Sequence, residues 1–150
     1  MKRFYILGIE KVLNLPTDFG LKAHYLGQLR DTLSLALVYS APDVFVAPSV
    51  QDNLPNTIME AIACGTPCVA FNIGGMPDMI EHQQNGYLVQ PYDSEELAHG
   101  ITWVLQDEQR RQALSHRARE KFEQEFTLEI QCHNYVKLYE DIVQISGLSG

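Results

Sequence analysis

VFVAPSVQDNLPNTIMEAIACGTPCVAF, residues 44–71, carries the reading of the fold. Its first four residues are an unbroken apolar run that Pro48 stops, because proline has no N–H to give to a ladder. From Asn56 onward Ile58, Met59, Ile62 and Ala63 recur at helical spacing, and Gly65 ends the helix as a C′ residue. Pro67 then opens a second apolar run, Cys68, Val69, Ala70 and Phe71. Strand, loop, helix and strand in this order form a βαβ crossover with parallel strands. Continuous hydrophobicity, rather than alternation, says that both faces of those strands are covered.

The same texture extends outward. Upstream, the run at 4–7 stops at Gly8, the run at 23–26 stops at Gly27, and a helix is predicted over 31–40 with Leu33, Leu35, Ala36, Leu37 and Tyr39. Downstream, Asn85-Gly86 opens a strand at 87–89. Five short buried strands alternating with helices predict an α/β protein: a Rossmann-like, three-layer, doubly wound parallel sheet. Beyond residue 92 the pattern is helical only. Ser94 is the expected N-cap of a segment through Leu97, Ile101, Val104 and Leu105. A charged helix follows Asp107, in which Arg110, Arg111, Arg117, Arg119 and Lys121 are mixed with Glu and Gln and read as a solvated face, an anionic surface being the other use for them. After a break at Phe126-Thr127, Ile130, Tyr135, Leu138, Ile142 and Ile145 mark a last amphipathic helix.

With 150 residues the chain is the size of one domain, expected over 1–150, and no internal repeat divides it. Eleven Lys and Arg against nineteen Asp and Glu leave a charge of −8, which opposes a phosphate backbone as partner, so no nucleic acid is expected. No apolar run approaches the roughly 18 residues of a membrane span, and the N-terminus lacks a signal peptide's apolar region and cleavage site. The expected compartment is the cytoplasm, free or peripheral to a membrane in the full-length context. Three cysteines read as small buried apolar residues, and five scattered histidines form no ligand pair, so neither a metal nor a cofactor is expected.

The chemistry falls in the loop and helix start at 48–61. A loop beyond the carboxyl end of a parallel strand, running into a helix N-terminus, is where open α/β sheets bind ligands. Unpaired N–H groups and the positive end of the helix dipole favour an anion such as a diphosphate there. Asp52 in the loop and Glu60 on the helix can both accept hydrogen bonds from the hydroxyl groups of one ligand. The plainer reading makes Asp52 and Asn53 turn caps and Glu60 a solvated carboxylate, and spacing alone leaves both open.

This segment resembles the donor-binding motif of the group 1 glycosyltransferases, a retaining family of two-domain GT-B architecture whose signature is two acidic residues separated by seven positions. Here they are Asp52 and Glu60. The resemblance runs from Tyr25-Leu26-Gly27 through Leu37-Val38-Tyr39-Ser40-Ala41, Asp43 to Ser49, Cys64-Gly65-Thr66-Pro67 and Gly74-Gly75 to Asn85-Gly86-Tyr87-Leu88-Val89, and covers about residues 24 to 140. It implies that Glu60 accepts from the ribose hydroxyls of a nucleotide-sugar and Asp52 from the transferred sugar. It also implies that Asn53, Leu54, Pro55 and Asn56 face the sugar and diphosphate, and that Gly27, Gln28 and Leu29 line the base pocket. Two positions depart from the family: Asp52 and Asp78 stand where Glu is commoner, and at Asp52 the arm is shorter by about 1.5 Å.

The resemblance therefore implies the nucleotide-sugar-binding half of a retaining glycosyltransferase, with the nucleotide-sugar as substrate and no catalytic residue of its own assigned beyond the donor-positioning Asp52 and Glu60. A non-enzymatic α/β module for assembly or regulation is the alternative. A flavodoxin-like protein would need a phosphate loop after the first strand, where Gly8-Ile9-Glu10-Lys11 offers a single glycine. In the family a strand and a turn with Arg and Lys open this domain; here Met1 leads directly into what resembles the second strand. The expected molecule thus lacks the first βα unit and the N-terminal acceptor domain, and is inactive alone. Either the Phe4 and Val44 strands close on each other into a five-stranded sheet, or a second copy covers the exposed sheet edge as a homodimer.

Overall fold

The computed structural model describes residues 3–7, 22–51 and 53–145. The chain divides into two compact units, Met1–Val38 and Tyr39–Gly150. In the first, β1 (Arg3–Leu7) and β2 (Lys22–Gly27) pair in parallel, Arg3 opposite Lys22, with a shift at Ile6/Leu7 that sets Leu7 against Gly27. Helix α1 (Thr32–Ser40) starts where Asp31 caps it: the Ser34 N–H donates to the Asp31 carboxylate at 2.8 Å. That bond holds the Asp31 carboxyl below its ordinary value.

In the second unit β3 (Phe45–Ala47), β4 (Cys68–Phe71) and β5 (Gly86–Val89) form a parallel sheet in the order β3-β4-β5, with Phe45 opposite Cys68 and Cys68 opposite Gly86. The helices are α2 (Asn56–Ala63), α3 (Met76–Met79), α4 (Ser94–Gln106), α5 (Glu108–Glu125) and α6 (Leu128–Ile145). All four residues of β4 are buried. Val69 and Phe71 join Tyr87, Val89, Val104 and Leu114 in one cluster, so by alternation Cys68 and Ala70 face the opposite layer. Helix α2 packs on β3, β4 and α5 through the fully buried Ile58, Ala61 and Ile62, and α4 packs on β4 and β5. The α/β architecture with helices on a parallel sheet is the one expected.

Its details correct several expectations. The described strands form two ladders, β1–β2 and β3–β4–β5, and no ladder joins Phe4 to the strand after Val44. The doubly wound order does not make those two neighbours, and the pairings observed are the ones it prescribes for their other edges. Asp93, not Ser94, is the N-cap of α4, its carboxylate accepting from the Glu96 N–H at 2.8 Å. Of the cysteines only Cys68 is buried, and Cys132 is exposed on α6. Charged helix α5 is not merely solvated: it buries Leu114 and Ala118, and its cations are engaged. Arg111 pairs with Asp43, and Lys121 with Glu81 at 2.8 Å and Glu125 at 3.0 Å. Ser115 Oγ donates to the Gly65 carbonyl at 2.5 Å, and the Arg119 guanidinium donates to the Ala63 carbonyl. The C-terminal end of α2 is thereby closed by side chains of α5.

Candidate functional site

Three loops leave the carboxyl edge of the β3-β4-β5 sheet, because all three strands run the same way. The loop after β3 reaches α2 through Asn53 and Leu54, both exposed, and the buried Pro55. Pro55 is the N-cap at φ −70°, and its carbonyl takes the N–H groups of Ile58 at 3.1 Å and Met59 at 3.3 Å. Proline has no side-chain acceptor, so no described side chain caps α2, and its first turn holds no acidic residue. The helix start therefore offers its outermost N–H groups and positive partial charge to an anion from outside.

The loop after β4 braces this start. Gly75 donates its N–H to the Asn53 carbonyl at 2.5 Å, and Asn72 donates to the Val89 carbonyl at 2.7 Å. The approach at Gly75 is so close that a Cβ there would collide with the Asn53 carbonyl and stand 2.8 Å from Leu54 Cδ1. After β5 the chain turns through Tyr92, a non-glycine residue at φ 66° whose side chain is 77% exposed.

Glu60 lies in the second turn of α2 with its side chain exposed. From the protein side the carboxylate lies close enough to Tyr39, at the end of α1, to act on its phenol. Tyr39 is only 2% exposed, and it is the one described residue of α1 that is buried. Burial first, then the neighbouring Glu60 carboxylate, push the Tyr39 phenol well above its ordinary value, so it stays protonated.

In the other unit Gly27, at φ 66°, ends β2 and is followed by the exposed Gln28 and the half-buried Leu29. Nearby in that unit His24 stacks on Tyr5 at 5.5 Å, with its Nε2 buried and without a hydrogen-bond partner among the described residues. The structure thus brings Asn53, Leu54, Pro55 and Asn56 to one helix start with Glu60 a turn further on, and sets Gly27, Gln28 and Leu29 in succession at the end of β2, whereas Asp52 lies outside the described residues. Among the described residues no three His, Cys, Asp or Glu side chains cluster as metal ligands. Sequence reasoning missed Tyr39, which reads as one more apolar residue of an apolar helix, and the brace at Gly75, whose only signal was the Gly74-Gly75 pair.

The sequence pattern of the family described as Glycosyl transferases group 1 matches residues 12–121. N-acetyl-alpha-D-glucosaminyl L-malate synthase of Bacillus anthracis is 29% identical over 74% of this chain and 29% of its own length. Sulfoquinovosyl transferase SQD2 of Arabidopsis thaliana is 37% identical over 69% of this chain and 21% of its own length, so the chain spans under a third of either relative. Among solved structures, sucrose-phosphate synthase from Thermosynechococcus elongatus superposes with a TM-score of 0.75 at 31% identity, over 83% of this chain and 31% of that one. HepE from Anabaena, in complex with UDP-glucose, gives 0.70 at 27% identity, over 79% of this chain and 32% of that one.

Proposed function

Because the chain belongs to the group 1 glycosyl transferases, we propose that it binds the nucleotide-sugar donor in a transfer of sugar to an acceptor hydroxyl with retention of configuration. The observation that carries this reading is the α2 start: an N-terminus without a side-chain cap among the described residues, braced by Gly75 on Asn53, with Glu60 one turn along the same helix. The donor's diphosphate sits against the N–H groups of the first turn, where an anion gains about 0.3–1 kcal/mol from the helix dipole alone. Glu60 accepts from the ribose hydroxyls and Asp52 from the hydroxyls of the transferred sugar. Asn53, Leu54, Pro55 and Asn56 face the sugar and diphosphate, and Gly27, Gln28 and Leu29 serve the base. As the bond to the diphosphate breaks, negative charge grows on the leaving group, and the helix start stabilises it without a protein nucleophile and without a metal ion. Turnover further needs an acceptor side to the cleft.

Thermal shift with UDP-, GDP- and ADP-sugars, with and without a chelator, tests the proposal. A ligand of the native state at a hundredfold excess over Kd adds about 2.7 kcal/mol of stability. One nucleotide class is expected to raise the melting temperature, unaffected by chelator. Glu60→Gln and Asp52→Asn are each expected to fold normally and to lose about 1.5–3 kcal/mol of the interaction. No shift with any donor, or unchanged binding by both variants, overturns the site.

A further inference from the structure

We infer that His82 is a pH-sensitive latch on the outer edge of β5: its neutral imidazole accepts the Leu88 N–H where a neighbouring strand would, and protonation releases it. In the order β3-β4-β5 the last strand has a ladder on one side only among the described residues. Alternate residues of a strand bond to the same side. The Val89 carbonyl accepts from Asn72, which follows β4 in the chain, at 2.7 Å, so Tyr87 and Val89 bond toward β4 while Gly86, Leu88 and Gln90 bond outward. Three of these outward groups meet partners that belong to no strand of the sheet. The Gly86 carbonyl accepts from the Gln83 N–H at 2.7 Å, the Leu88 N–H donates to His82 Nδ1 at 3.2 Å, and the Gln90 N–H donates to a Glu96 carboxylate oxygen at 3.3 Å.

A backbone N–H can only donate, so His82 Nδ1 holds a lone pair and the ring proton sits on Nε2. The placement of the ring is equally determined. His82 bridges to Gly86, Gln83 turns the chain at φ 62°, and the imidazole stands edge-on to the Tyr87 ring with centroids 4.5 Å apart. Tyr87 belongs to the buried cluster, while His82 is exposed to solvent and its protons. Histidine is the side chain that takes up a proton between pH 8 and pH 5, and with that proton Nδ1 becomes a donor facing a donor. Glu96 cannot switch in this way, since a protonated carboxyl keeps a carbonyl oxygen for the Gln90 N–H. The charged and titratable groups about the latch are Glu81, held by Lys121 of α5 at 2.8 Å, and Arg117 of α5, on Gln84 at 2.6 Å. From α4 come Glu96, its capping Asp93, and His99, whose ring lies 6.3 Å from that of Tyr87. A bare N–H on an edge strand is a template for pairing with another chain, and the neutral imidazole withholds it.

Amide hydrogen exchange followed by NMR on the full chain tests the latch, with each rate divided by that of an unstructured chain at the same pH. Protection of the Leu88 amide is expected to fall about fivefold from pH 8 to pH 5, the worth of one hydrogen bond, while Tyr87 and Val89 keep theirs. His82→Ala should show the low value at both pH values. His82→Asn, whose side-chain oxygen takes the place of Nδ1, should show the high value at both. Constant Leu88 protection in the wild type, undiminished protection in His82→Ala, pH-dependent protection in His82→Asn, or a fall shared equally by Tyr87 and Val89 would overturn the inference. Should the variants fail to fold, the tautomer of His82 in a long-range ¹H–¹⁵N spectrum of the wild type at pH 8 decides: the Nε2–H form is expected, and the Nδ1–H form defeats the latch.

Discussion

Tyr92 occupies a backbone conformation that side chains rarely adopt, with φ at 66° and most of its ring in solvent. An L-residue in the left-handed region costs roughly 1–2 kcal/mol, and an exposed ring recovers little of that by packing. Tyr92→Gly is therefore expected to raise stability by about 1 kcal/mol, read as a higher urea midpoint at unchanged slope. A lower midpoint would show that the ring is held by contacts worth more than the strain. Gly75 behaves in the opposite sense. A Cβ there meets the Asn53 carbonyl, which is main chain and cannot swing aside. Gly75→Ala is expected to cost about 1–3 kcal/mol and to weaken nucleotide binding by displacing the loop ahead of α2. Unchanged stability together with unchanged binding would remove the brace from the site. At this scale the sequence was legible where residue type is itself the signal, as at Pro48, where β3 stops, and Gly65, at φ 73° after α2. It was silent at Tyr39, because an apolar helix does not announce which of its residues will be the buried one.

Elements were most legible where burial imposes a period. The apolar runs at 44–47 and 68–71 became β3 and β4 within a residue, since strands covered on both faces have no polar positions to blur them. Helix α3 was invisible: four residues with Pro77 inside them are too few for any period, although Met76 and Met79 are fully buried. The N-cap of α4 was missed by one residue because Asp93 and Ser94 are both capping types, and only geometry shows which carboxylate or hydroxyl reaches the Glu96 N–H. Capping also gives α1 a pH dependence. The carboxyl of Asp31 is held low by the Ser34 N–H, so its contribution is complete above the unfolded value of 3.8 and fades as pH falls through the folded one. Asp31→Asn is expected to remove that dependence below pH 4, as followed by the ellipticity of the chain. An identical acid profile in the variant would assign the loss to other carboxylates.

Across the whole molecule, the two ladders β1–β2 and β3–β4–β5 agree with the order that the alternating pattern implied, and the five-stranded closure did not form among the described residues. Pairing partners are a long-range property; a run such as 4–7 announces that it is a strand without saying which neighbours it will find. Helix α6 adds a surface that the amphipathic pattern forecast. Tyr135, Leu138, Tyr139 and Ile142 lie along it, all exposed, and none of its described residues is buried. No helix of the described residues is long and apolar enough to cross a membrane. An apolar stripe of this kind is expected to drive association that grows with protein concentration in sedimentation velocity. Leu138→Glu with Ile142→Glu should abolish it. Association that survives those changes would move the contact to a sheet edge, and a monomer at all concentrations would dispose of both. Helix α2 carries a different consequence of assembly. With Ser115 on the Gly65 carbonyl and the cationic Arg119 on that of Ala63, the negative pole of this helix is grounded by α5, while no described side chain caps the positive pole. An anion arriving there meets a field that its far end no longer cancels, so an arginine on the far side of the helix from the ligand sets part of the pull that the ligand feels.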